Sequence, residues 1–180
     1  YIFHYLCKKK ISTMKHLLSF IFFLNFILIS AQSSTDNYNF FEQGICVSGN
    51  CENGFGIKRY QDGTIYVGNW WNKIPGGHGT LIWGDGTIYV GNFDKGKYHG
   101  DGTFMTREQF YIGEFKSDRA NGSGTFFLQN GVYFGEFEDG LFDGKGYFLD
   151  TNGSIEEGTF NKGNIVGDII YRTEDYIRRK

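Results

Sequence analysis

From Gly54 onward, apolar and polar residues alternate in short runs broken by glycine, the two-residue period of strands and not the 3.6-residue period of helices. Gly79 to Trp83 and Thr87 to Phe93 are two such runs, separated by Asp85-Gly86. Asp-Gly or Asn-Gly between alternating runs is the strongest short hairpin signal, because a type I′ turn needs positive φ at both central residues. The dipeptide recurs at Asp62-Gly63, Asn130-Gly131 and Asn152-Gly153, with Glu108-Gln109 in its place in the third unit. Each unit therefore predicts a strand, a two-residue turn and a second strand. Stretches between units, such as Asp94 to His99, read as polar exposed loops.

Three marks share one period. Tyr-x-Gly triplets begin at Tyr66, Tyr89, Tyr111 and Tyr133, with glycines at Gly68, Gly91, Gly113 and Gly135; the spacing is 23, 22 and 22 residues. Four residues after each Tyr stands Trp70, Phe93, Phe115 or Phe137, and Gly158 with Phe160 extends the series. Gly-x-Gly pairs keep step at Gly54/Gly56, Gly77/Gly79, Gly100/Gly102, Gly122/Gly124 and Gly144/Gly146. A fixed period of this length is the signature of a repeat array, in which a unit buries its face only against its neighbours. Tyr89, Gly91 and Phe93 share one strand face, so each glycine leaves a groove for a ring from a neighbouring strand. The predicted fold is all-β: an elongated, twisted antiparallel meander of about five β-hairpins, ten strands and roughly 45–50 Å long, preceded by a signal-peptide helix.

Tyr-x-Gly-x-Phe-x-x-Gly followed by Gly-x-Gly, as in Tyr89 to Gly96 and Gly100 to Gly102, resembles the MORN (membrane occupation and recognition nexus) repeat over residues 54 to 163. Gly49 to Gly56 is similar to the start of such arrays in exported bacterial proteins. The resemblance implies a spacer, assembly platform or lipid-associated module. Departures are Glu108-Gln109, Glu156 where Tyr is expected, and Lys58 where other first strands have Leu or Phe.

The first 31 residues follow another regime, without glycine or acid. Lysines 8, 9, 10 and 15 precede an apolar run from Leu17 to Ile29, short of the roughly 20 residues that span a bilayer. With Ile29-Ser30-Ala31 behind it, the run reads as a secretory signal peptide cleaved after Ala31; the rival is an uncleaved anchor. These readings divide the chain into a translated leader (1–13), signal peptide (14–31), polar linker (32–43), disulfide-containing opening segment (44–53), repeat array (54–167) and C-terminal cap or tail (168–180), the last a strand or short helix.

Export changes the charge and the cysteines. The chain's formal charge is −2, but all 20 acidic residues and only 14 of 18 basic ones follow residue 31, leaving about −6. Nucleic acid is excluded as a partner by the lack of a concentrated basic patch. Cys46 and Cys51 form an even pair in an oxidising compartment. A metal would need two further ligands, and His78 and His99 are distant in sequence, so the pair is read as a disulfide.

No catalytic set converges. His78 and His99 hold repeat positions, and Glu114 and Glu136, a conceivable carboxylate pair, are equivalents on a solvated edge. No Gly-x-Gly opens a phosphate-binding helix. Neither enzyme activity nor a cofactor is expected. Outward rings of a single-layer sheet, namely Trp71, Trp83 and Tyr98, are the expected partner surface. The expected function is an exported, non-catalytic scaffold or interaction module, binding a protein or itself; the alternatives are lipid-headgroup binding, through loop residues such as Lys73, Lys95, Lys97, Arg119 and Lys162, and glycan or cell-envelope binding.

Overall fold

The computed structural model describes residues 40–172. The expected leader, signal peptide and most of the linker, with residues 173–180, lie outside the described residues.

The described chain is a single antiparallel sheet. Its strands are β1 (Ile45–Gly49), β2 (Gly54–Arg59), β3 (Ile65–Trp71) and β4 (Ile74–Ile82). There follow β5 (Ile88–Asp94), β6 (Lys97–Met105), β7 (Phe110–Lys116) and β8 (Arg119–Leu128). The last are β9 (Gly131–Glu138), β10 (Leu141–Asp150), β11 (Ile155–Asn161) and β12 (Asn164–Arg172). Sequence order is sheet order, a meander of 12 strands. That is two more than the hairpin signals gave, because the disulfide segment is itself a strand and β12 runs through the expected boundary at 167. At about 4.8 Å per step the sheet is roughly 53 Å long.

One row of glycines organises the register. Gly49, Gly56, Gly68, Gly79, Gly91, Gly102, Gly113, Gly124, Gly135, Gly146 and Gly158 are successive cross-strand partners, one per strand from β1 to β11. The tyrosine of each triplet lies flat over this row. A Cβ at Gly91 would stand 2.6 Å from both the Tyr89 hydroxyl and the Gly102 Cα; one at Gly102 would meet the same hydroxyl at 2.6 Å. The grooves exist, but the ring in each belongs to the same strand, two residues upstream, and not to a neighbour. The reason is an acceptor within reach: the hydroxyls of Tyr66, Tyr89, Tyr111 and Tyr133 donate to the carbonyls of Asn69, Asn92, Glu114 and Glu136, at 3.0, 2.9, 3.1 and 3.5 Å. Burial pushes each of these phenols above its ordinary pKa, so the hydroxyls stay protonated donors.

The second aromatic of each unit locks adjacent repeats. Phe93 meets Tyr89 and Tyr66 edge-on at 5.1 Å each, and Phe115 meets Tyr111 at 5.1 Å and Tyr89 at 5.2 Å. Such T-shaped pairs add roughly 0.5–1.5 kcal/mol each beyond the area they bury. The core is this ladder, closed on one face of the sheet.

The turns are distributed differently from the sequence expectation. Type I′ backbone, positive φ at two successive residues, occurs at Asn72-Lys73, Lys95-Gly96, Ser117-Asp118, Asp139-Gly140 and Lys162-Gly163. These close the connections expected to be loops, so Asp94 to His99 is a tight hairpin. At Asp62-Gly63 and Asp85-Gly86 only the glycine has positive φ. There Gly63 N–H donates to Tyr60 O while Tyr60 N–H donates to Thr64 O, a three-residue loop whose Asp62 carboxylate accepts from Thr64 N–H at 2.9 Å. In the third unit Thr106 Oγ1 does this work, accepting from the N–H of Glu108 and Gln109 at 3.2 and 3.0 Å. The first glycine of the Gly-x-Gly pair also has a distinct task. Gly100 (φ +60°) sits where the β5–β6 register shifts, a bulge that a left-handed residue permits.

Successive I′ turns are bonded to one another. The N–H groups of Lys73, Gly96, Asp118, Gly140 and Gly163 donate to the carbonyls of Glu52, Pro75, Tyr98, Ala120 and Phe142, at 2.8 to 3.1 Å. This line runs along one edge of the array.

The amino-terminal end is covered. Residues 40–42, the described end of the expected linker, are helical, and Phe41 packs edge-on against Tyr60, Tyr66 and Trp70. Lys58 is buried beneath them, its ammonium donating to the carbonyls of Phe41 and Glu42 and lying 5.4 Å from the Trp70 ring. Lys58 thus departs from the repeat because a helical end, with its free carbonyls, stands over it. A disulfide joins Cys46 to Cys51 and ties β1 to the turn that follows. At the other end Arg172 donates to Glu157 at 2.6 Å, holding β12 on β11.

Candidate interaction surface

The two faces of the sheet differ in kind. On the first, the Tyr-Phe ladder closes on itself: Tyr89 and Tyr133 are fully buried with no second layer over them among the described residues, and Tyr66 is fully buried with Phe41 against it. Tyr98 belongs to this face. It stacks on Tyr89 at 3.7 Å and is 9% exposed, so it is core and not partner surface. The strand begun by the β5–β6 turn carries it inward, where a loop would have left it out. Trp83 is half-buried, edge-on to Tyr98 and Phe104 at 6.2 and 6.1 Å. Of the three rings expected outside, only Trp71 is, at 65% exposure.

The second face carries two rows of aliphatic, aromatic and threonine residues, mostly half-buried, that the sequence reading did not assign. One runs through Ile57, Val67, Thr80, Val90, Thr103, Ile112, Thr125, Phe134 and Tyr147, which are cross-strand partners in turn. The other contains Ile65, Ile82, Ile88, Met105, Phe110, Phe127, Val132 and Leu149. Ile112 is 44% and Phe127 37% exposed. The signal was present: Ile65-Tyr66-Val67, Ile88-Tyr89-Val90, Phe110-Tyr111-Ile112 and Val132-Tyr133-Phe134 are consecutive apolar triplets, and three in a row place apolar groups on both faces. Among the described residues no second layer lies over these rows.

Bordering them on the same face is a more polar row: Phe55 opposite Asn69, then His78 opposite Asn92, then Asp101 opposite Glu114, then Ser123 opposite Glu136, and Lys145 beyond them on β10. Glu114 accepts from Ser123 N–H at 2.9 Å, and Glu136 lies against Gly144 at the next bulge. Asn69 and Asn92 reach the carbonyls of His78 and Asp101 from the equivalent positions. Glu114 is therefore a bulge cap, and Glu136 sits at the equivalent position over the next bulge. His78 and His99 flank Asn92 on neighbouring strands, both exposed. Among the described residues no three His, Cys, Asp or Glu side chains converge as metal ligands.

Basic loop residues are partly neutralised. Lys73 pairs with Glu52 at 3.5 Å and Arg119 with Asp139 at 3.6 Å. Asp118 is buried, accepts from Tyr98 N–H at 2.8 Å, and has its pKa raised by desolvation. No described helix is long and apolar enough to cross a membrane.

A single-layer antiparallel sheet built from one repeated hairpin, with a tyrosine laid over a glycine row in each unit, defines a β-repeat protein. The MORN repeat profile matches four consecutive segments, residues 66–88, 89–105, 111–132 and 133–155, and the chain belongs to the MORN-repeat family. The matched starts at Tyr66, Tyr89, Tyr111 and Tyr133 are the four tyrosines of the ladder. No curated protein matches the chain.

Proposed function

We propose that the protein is an exported, non-catalytic interaction module whose working surface is the second face of the sheet. The observation that carries this reading is the asymmetry of the faces: one is consumed by the ladder, while the other presents largely apolar rows that no other described residue covers. Membership of a repeat family associated with protein or membrane interaction supports it. Export is supported by the basic-then-apolar pattern of the first 31 residues and by the Cys46–Cys51 pairing, which suits an oxidising compartment. Lipid-headgroup binding is the weaker alternative, because Lys73 and Arg119 already have carboxylate partners and the rest are spread along the array.

The test combines light scattering after size exclusion with a pull-down from the source's envelope fraction. Retention of a defined protein, or a stable oligomer, is the expected result; a strict monomer that retains nothing contradicts the reading. Co-sedimentation with anionic liposomes at moderate salt promotes the lipid alternative. Export is tested by the mature amino terminus, expected at Gln32, and by cysteines that react with a thiol reagent only after reduction.

A further inference from the structure

We propose that the apolar rows of the second face are the seat of an amphipathic α-helix that carries basic residues along one flank. The inference rests on the interaction-module reading and names the chemistry of its partner.

Three observations select this occupant. The first is shape. Two rows of one strand face are about 6.8 Å apart, so the strip is some 13 Å wide, and from β2 to β10 it runs for roughly 40 Å. A helix with its side chains is about 10–12 Å across and needs about 26 residues to cover 40 Å.

The second is the backbone. Interior strands already exchange their N–H and C=O groups with both neighbours. An extended peptide laid on the face would find no main-chain partners, and only an element that satisfies its own hydrogen bonds can be buried there.

The third is charge. Asp101 and Glu114 are direct cross-strand partners, like charges that cost stability in the isolated sheet, and Glu136 follows two strands from Glu114. These carboxylates border the strip beside Ile112 and Phe134, and Lys145, which follows Glu136 on β10, leaves the Asp101–Glu114 pair as the uncompensated part of the row. A lysine or arginine flank relieves that repulsion. A second copy of this face would bring its own acidic row and a strip no wider than this one.

The test is a titration of the full chain with a labelled helical peptide of about 26 residues, leucine along one stripe and lysine on its flanks. A peptide with glutamate replacing the lysines is the charge control. Saturable binding is expected for the lysine peptide, at least tenfold weaker for the glutamate peptide. Ile112→Lys with Phe127→Lys is expected to weaken it at least tenfold, and Asp101→Asn by a smaller factor. Circular dichroism and melting confirm that each variant is folded, and Ile112→Thr gives a milder change in the same direction. Equal affinity for the two peptides overturns the proposal, as does binding that ignores the strip variants. So does a parent dimer that those variants dissociate, since the occupant is then a second copy, or co-sedimentation with phosphatidylglycerol vesicles that they abolish, since it is then a membrane. If a partner is captured equally by parent and strip variants, only this inference falls; if nothing is captured and no oligomer forms, the interaction reading falls with it.

Discussion

Gly91 shows how much one hydrogen atom decides in this fold. A Cβ there would face the Gly102 Cα at 2.6 Å and the Asp101 carbonyl at 2.8 Å, both backbone, besides the Tyr89 hydroxyl. Backbone cannot swing away as a side-chain tip can, so either the strands part or the ring leaves. Gly91→Val, which improves β propensity locally, is therefore expected to cost about 1–3 kcal/mol by overpacking. A melting temperature at or above the parent's contradicts the close approach. Gly96→Ala is costly for another reason. Its φ is +77° and the Phe41 ring lies 3.1 Å from the new methyl, so it is no neutral loop position. The tyrosine hydroxyls offer a graded test. Tyr89→Phe removes a bond of 2.9 Å and Tyr133→Phe one of 3.5 Å. The first is expected to lose about 1 kcal/mol and the second less; the reverse order in denaturant titrations speaks against the hydroxyl as the ring's anchor.

Asp118 gives a pH dependence with a definite sign. Desolvation raises its folded-state pKa above the ordinary 3.8, so the folded protein holds that proton to higher pH than the unfolded chain. Its contribution to stability is then largest below 3.8 and is lost as pH rises through the folded pKa. Asparagine keeps an oxygen for Tyr98 N–H and tolerates the φ of +70° at this position. Asp118→Asn is expected to melt at or above the parent at neutral pH, the difference shrinking below pH 4. A variant less stable at pH 7 than at pH 4, relative to parent, assigns the carboxylate a favourable role instead.

At the scale of the element, the hairpins separate what was legible from what was not. Strand positions, the period and the paired glycines could be read because alternation and spacing are local. Which turn carries the primed geometry could not. Asp85-Gly86 has the composition of a type I′ turn, but the Asp85 side chain bonds to Thr87 N–H at 2.8 Å and holds a three-residue loop instead. Asn72-Lys73 and Ser117-Asp118 adopt I′ backbone without any glycine, and what holds them there is long-range. Lys73 N–H reaches Glu52 O at 2.9 Å, and Asp118 N–H reaches Tyr98 O at 3.1 Å, twenty residues back. No window of sequence displays such a bond. Ser117 is exposed with φ +50°. Ser117→Asn, better suited to that region, is expected to stabilise by a few tenths to about 1 kcal/mol. A loss of stability on that change contradicts the turn assignment.

At the scale of the molecule, the missed surface has a physical origin. The sequence displays rings, and rings suggest exposed platforms in a single layer. In the fold the rings have collapsed onto glycine, which frees their face from needing a cover. The uncovered apolar area is instead aliphatic and aromatic together, in the middle residue of Tyr-x-Gly, the residue before Tyr and their cross-strand partners. Tyr98 reads as outward in sequence because residues 94–99 read as a loop, and Lys58 reads as a bare departure from the repeat because its contact with Phe41 joins residues 17 apart in the chain. The result is a sheet whose stability resides in one face and whose spare surface lies on the other, separated by a single peptide bond.

Tyr111 and Ile112 are that pair, and denaturant unfolding of Tyr111→Ala beside Ile112→Thr tests the division most directly. Tyr111 is 4% exposed over Gly113 and Gly124, whereas Ile112 is 44% exposed on the opposite face. Tyr111→Ala is expected to cost about 3–5 kcal/mol, as large-to-small changes at buried aromatics do. Ile112→Thr, which keeps a β-branched side chain, is expected to stay within about 0.5–1 kcal/mol of the parent. Comparable losses from the two neighbours would contradict the account, because both faces would then be holding the fold and neither would be free to bind.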